Sequence, residues 1–216
     1  MSKYRVLIPD CIIRNEEGIV INSKEFMLYY YLKILHDKQK SLKVKLNHNQ
    51  YMCKFGIKAN STFKNILNGL HKNKLIHTEI DKLPKSGLIE IEMNEEYIEK
   101  KPFTLIHINL YYLIGKIGHE GLRLMYYYES RVNRNKENNQ QFCYAGVRTI
   151  AKETKINRNK VIDVNEELCK LNILNIDKHD LDTDGTMNEF EQVEYTKYNN
   201  HYYPLIDKIV KYQFSK

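Results

Sequence analysis

A repeat of about 98 residues constrains this chain more than any other feature. Tyr4–Ile8 (YRVLI) is echoed by Phe103–His107 (FTLIH), an offset of 99, and Leu28–Tyr31 (LYYY) by Met125–Tyr128 (MYYY), an offset of 97. Gly56–Leu70 is echoed by Lys155–Leu168, whose apolar positions align after a one-residue gap. A period of this size is too long for a solenoid and suits a small domain. Two domains are therefore expected, 1–101 and 102–216. The boundary falls in the stretch from Glu99 to Pro102, because proline stops a helix and the repeat restarts at Phe103. Each half is long enough to bury a modest core. No low-complexity linker separates them, so the halves are expected to pack together.

Charge follows the repeat. The net charge is +7, and residues 1–101 carry +6 of it (18 Lys and Arg against 12 Asp and Glu). Lys33 to Lys74 holds ten lysines and one acid, Asp37; Arg123 to Lys160 holds nine basic residues against three acids. Asp163 to Glu194 reverses the sign, with ten acids and two lysines. Basic stretches that coincide with compact helical motifs point to a nucleic-acid partner. The four cysteines form no CxxC pair, which fits a reducing cytoplasm better than a disulfide framework or a zinc site. No apolar run approaches a membrane span, and the first residues do not read as a signal peptide, so no membrane partner is expected.

Each copy reads as a long helix, a helix-turn-helix and a β-hairpin, a mainly α fold with small β wings. Asn22 and Glu25 form a capping box, followed by Leu28, Tyr31, Leu32 and Leu35 as an apolar stripe. In copy two Leu124, Tyr127 and Tyr128 begin the matching stripe. The tyrosine triplets at this spacing read as core, with base-stacking platforms as the alternative. In copy two, Val147–Glu153 forms the first helix of the motif, Lys155 and Ile156 the turn, and Asn157 the cap of the second helix. Ile156, Val161, Val164 and Leu168 point inward, leaving Arg158, Asn159, Lys160, Ile162 and Asp163 outside. In copy one, Asn49–Phe55 is the first helix and Gly56 and Ile57 the turn. Phe63, Ile66, Leu67 and Leu70 point inward, with Asn60, Ser61, Thr62, Lys64 and Asn65 outside.

Short polar and basic side chains on the first turns of such a helix suit the major groove. Arg binds guanine bidentately and Asn binds adenine, so Arg158 and Asn159 are the leading base readers, with Asn157 beside them. Lys160, Lys64, Lys82 and Lys85 suit phosphate contacts, and Arg148 is a further DNA-binding candidate. Hairpins are expected over Leu75–Ile80 with Leu88–Glu92, whose tip carries Lys82 and Lys85, and over Ile173–Asp177 with Phe190–Tyr198, whose tip is acidic. The acidic hairpin is expected to point away from DNA or to contact protein. Pro204 is placed at the start of a terminal helix with Leu205, Ile209 and Tyr212 on one face, which caps the second domain or forms a dimer contact.

Both halves resemble the winged helix-turn-helix domains of plasmid and phage replication initiators and related transcription regulators. The segment from Met125 to Leu174 carries the resemblance through an I-A-x-E-x-x-I-x-R-x-x-V core, departing from it at Asn165. The resemblance implies two winged helix-turn-helix domains in tandem that bind specific double-stranded DNA in the cytoplasm. Their role would be control of replication initiation or transcription of a mobile element, through replication or transcription machinery and with a homodimer as one arrangement. Two reading helices imply half-sites about one helical turn, roughly 10 bp, apart. The alternative is a protein-interaction or calcium-responsive adaptor without DNA affinity.

The calcium option rests on Asp180, Asp182, Asp184, Thr186 and Glu191, which match EF-hand loop positions; an acidic turn is the default reading. Enzymatic motifs are missing from the sequence. It contains no GxxxxGK[ST] loop and no GxSxG, and His107, Ile108 and Asn109 lack the second histidine of a nuclease metal pair. No catalytic residue and no cofactor are expected.

Overall fold

The computed structural model of the protein describes residues 4–132, 141–178 and 200–212. Small antiparallel sheets and helices mix in an α+β architecture. The chain opens with strand β1 (Arg5–Pro9) and short helix α1 (Asp10–Arg14), then the long helix α2 (Ser23–Gln39). Strand β2 (Lys43–Leu46), helices α3 (His48–Lys54) and α4 (Asn60–Lys72), and strand β3 (Ile89–Glu92) complete the first half. The second half runs β4 (Phe103–His107), α5 (Asn109–Ser130), β5 (Cys143–Tyr144), α6 (Val147–Thr154), α7 (Arg158–Lys170), β6 (Leu174–Asp177), β7 (His201–Pro204) and α8 (Ile206–Lys211).

The capping box forms as expected. Asn22 Oδ1 accepts from the backbone N–H groups of Lys24 and Glu25 at 2.9 and 3.1 Å, and Glu25 Oε2 accepts from the Asn22 N–H at 2.7 Å. That carboxylate occupies the space a Cβ on Gly69 would need, so a side chain at residue 69 would displace it from the cap. The expected apolar stripe is exceeded. Phe26 through Tyr30 and Leu32 are all buried, because α2 packs against β1, β2, α4 and α5 together. Both tyrosine triplets are core, as their spacing requires. Five of the six rings are buried and Tyr31 is half-buried; Tyr126 meets Phe26 and Tyr30 edge-on at 5.8 Å.

The halves join through their equivalent strands. β1 and β4 pair antiparallel, with Leu7 opposite Leu105 at the centre of the ladder. Across the same junction Thr104 Oγ1 donates to Asp10 Oδ1 at 2.7 Å, and Tyr126 Oη donates to the Val6 carbonyl at 2.9 Å. Fully buried Arg123 donates to the carbonyls of Ile12, Ile13 and Ile21 and to Asn15 Oδ1, at 2.6–3.3 Å. Burial pushes its guanidinium down, to about 9, so it stays protonated at neutral pH. The buried side chains of both halves form one continuous core.

Several expectations are corrected. Leu75–Ile80 does not form a strand: only Ile76 bridges to Met93, and the partner of β3 is β2. β2, which was not expected, and β3 alternate regularly. Val44 and Leu46 face Ile91 and Ile89 inside, while Lys43 and Lys45 stand opposite Glu92 and Glu90 outside. In the second half β7 lies between β5 and β6. Pro204 thus belongs to a strand, opposite Leu174, and the helix starts two residues later. Ile209 on α8 is buried, and Asn109 Nδ2 donates to the carbonyls of Ile209 and Val210, so α8 folds back onto α5. The segment Phe190–Tyr198 and the loop carrying Asp180, Asp182, Asp184, Thr186 and Glu191 lie outside the described residues.

The helix of copy two starts earlier than its stripe indicated. Residues 109–117 form a first limb, Gly118 breaks the helical backbone at φ 68°, and a second limb carries Leu122 to Tyr128. Glycine is required there because that backbone lies outside the regions open to other residues.

Candidate nucleic-acid interface

The two helix pairs place their polar turns as the apolar spacing dictates. On α4, Phe63, Ile66, Leu67 and Leu70 are buried; on α7, Val161, Val164 and Leu168 are buried, with Ile156 buried just ahead of the helix. This leaves Asn60, Ser61 and Asn65 exposed, with Thr62 and Lys64 half-exposed, on the first helix. On the second, Arg158, Asn159, Lys160, Ile162 and Asp163 are exposed, and Arg148 is exposed on α6. Lys82 and Lys85 are exposed in the segment between α4 and β3.

Two of these side chains also have structural work. Asn157 caps α7, its Oδ1 accepting from the Asn159 N–H at 3.0 Å, so its oxygen is engaged. Lys64 Nζ donates to the Asp81 carbonyl at 2.5 Å, tying α4 to the segment that carries Lys82. The turns differ in construction. Lys155 closes α6 in the left-handed conformation at φ 57°, and α7 is capped by Asn157. Gly56 turns the chain at φ 67° after α3, and Ala59, without a side-chain cap, precedes α4. The extra residue in copy one is absorbed there, between Gly56 and Asn60.

The fold brings these two helix beginnings to a common trough. One cleft beside α4 is lined by Lys58, Ala59 and Thr62, and one beside α7 by Lys155, Asn157 and Lys160. Lys24, from the start of α2, and His119, just after the kink in α5, line both. Lys24, Lys58, Lys155 and Lys160 are all exposed, so the two adjoining clefts are rich in lysine. The acid in it, Glu120, lies 3.0 Å from His119 Nε2. Burial pushes the Glu120 carboxyl up, but the hydrogen bond and charge of His119 outweigh this and hold it below the ordinary carboxylate value. Sequence reasoning missed Lys24, Lys58, His119 and Lys155. Lys58 and Lys155 fall inside the basic stretches, but Lys24 and His119 reach the trough only through the packing of α2 on α5.

Among the described residues no group of His, Cys, Asp or Glu is arranged to hold a metal ion, and no helix is long and apolar enough to cross a membrane. No protein-family model matches the chain, and no curated protein matches it.

Proposed function

We propose that the protein is a sequence-specific double-stranded DNA-binding protein built from two winged helix-turn-helix domains, residues 1–101 and 102–216. It controls replication initiation or transcription of a mobile element and has no enzymatic activity. What carries the reading is the shared trough: the polar first turns of α4 and α7 open onto one basic surface, with Lys24 and His119 between them. In each half a strand preceding the helix pair hydrogen-bonds to the strand that closes it, β2 with β3 and β5 with β7, the arrangement expected of a winged helix. α4 and α7 enter successive major grooves, and the phosphate ridge between them crosses Lys24 and His119. Arg158 and Asn159 read bases, while Asn60, Ser61, Thr62 and Asn65 make the contacts of the second half-site. Lys64, Lys82, Lys85, Arg148 and Lys160 hold phosphates.

Selection from a random duplex pool at moderate salt tests this proposal. Enrichment of one site, lost on Arg158→Ala, is expected. Recovery of unenriched sequence, or unchanged preference in that variant, overturns it.

A further inference from the structure

Beside the trough lies a cleft of about 430 Å³ between α3 and α5, with a composition unlike the rest of the basic surface. Lys54, Phe55, Tyr111, Tyr112, Gly115 and His119 are among the residues that line it. Tyr112 is 59% exposed although it is a large ring beside a well-packed core. Lys54 holds its ammonium 4.0 Å from the centroid of the Tyr111 ring, and Tyr111 is backed by Tyr31, with ring planes 22° apart. The α5 wall has no side chain at Gly115, where an added Cβ would meet nothing within 4 Å. His119 and Phe55 continue from this cleft into the trough beside α4.

An aromatic wall, a neighbouring cation and an open glycine face match the two parts of a nucleotide. A base stacks on a tyrosine ring regardless of its identity, and a phosphate pairs with an ammonium group. A fully paired duplex offers no free base face. We infer that this cleft binds an unstacked nucleotide, its base against Tyr112 and Phe55 and its phosphate at Lys54 and His119. This site extends the duplex-binding reading toward a protein that also holds an unpaired base next to its duplex site. The source of the nucleotide is either single-stranded DNA or a free nucleoside phosphate.

The test uses the full chain and two probes, a labelled twelve-residue oligothymidylate and free dTMP, each titrated at moderate salt. Tyr112→Ala and Gly115→Leu are each expected to weaken binding about tenfold, the first by removing a stacking face and the second by filling the cleft. Binding of the selected duplex should stay within about twofold of the parent in both. Affinity for the oligomer alone assigns the site to single strands, and competition by dTMP assigns it to free nucleotide; either result supports the inference. It is overturned if neither probe binds, or if Tyr112→Ala, checked for an unchanged melting temperature, binds both probes as the parent does. Duplex selection fails or succeeds independently of these titrations, so the two readings are separable.

Discussion

Leu7 and Leu105 face each other at the centre of the β1–β4 ladder, and they are 105 − 7 = 98 positions apart. That separation is the period of the repeat. β1 and β4 start and stop 98 residues apart, and so do α4 and α7, each 13 residues long. Antiparallel pairing of equivalent strands about one central pair places a local twofold axis between them. On the proposed function, reading helices related by such an axis would suit half-sites in inverted orientation, as symmetric dimers do, but from a single chain. The side chains differ, with Arg158 and Asn159 on one helix and Asn60 and Ser61 on the other. One half-site should therefore be specified more sharply.

Arg158→Ala should weaken specific binding by about 1–3 kcal/mol and relax preference at one position of that half-site. Lys155→Gln and Lys24→Gln should lower affinity for all sequences and reduce the salt slope by about one each. Anisotropy titrations from 50 to 200 mM salt separate the two kinds of effect.

Tyr128 and Asn165 form a buried pair, the hydroxyl donating to Asn165 Oδ1 at 2.6 Å. Asn165→Leu should cost about 1–3 kcal/mol by stranding the tyrosine hydroxyl. Adding Tyr128→Phe should recover much of that loss. Denaturant unfolding of the two single variants and the double variant measures the coupling.

Arg123→Lys should destabilise by more than about 2 kcal/mol, because one ammonium group cannot serve the four oxygens held by the guanidinium fork. An undiminished midpoint in urea would contradict this.

The protein should lose stability steeply in alkali. Burial pushes the Tyr29, Tyr30, Tyr51, Tyr126 and Tyr128 hydroxyls well above their ordinary value of 10.0. The Cys143 thiol is pushed up to about 12. Folded-state values above unfolded ones mean that the unfolded chain gives up protons first. Their contribution is therefore complete below about pH 9 and is lost above it, first through the thiol and then through the tyrosines at about 1.4 kcal/mol per pH unit per group. Urea midpoints measured from pH 8 to 11 check this. At pH 8 a thiol reagent should modify exposed Cys53 and spare Cys143.

The helices of the two helix pairs were legible because their determinants are local. Val161, Val164 and Leu168 recur at helical spacing behind an Asn157 cap, and Phe63, Ile66, Leu67 and Leu70 do so on α4. β2 was not legible: Lys43–Leu46 is four residues whose partner is β3, beyond α3 and α4. Ile76 and its neighbours, adjacent in sequence, looked like the nearer partner. Arg123 counted toward a basic stretch in the sequence but is fully buried; its role was hidden because its acceptors are mostly backbone carbonyls, which every residue carries. Asn165 looked like a departure from an apolar pattern and proves to be the acceptor for a tyrosine of the same half. The trough was hidden for a different reason, since Lys24 and His119 come from opposite halves and meet only when α2 packs on α5.

The most direct measurement is selection of the intact chain on random duplex DNA, followed by footprinting of the enriched site. Two inverted half-sites about one helical turn apart, protected on one face of the duplex and one more sharply specified than the other, are the expected result. No enrichment over competitor, or a footprint confined to one half-site and unchanged by substitutions at Asn60 and Asn65, contradicts a shared binding surface for α4 and α7.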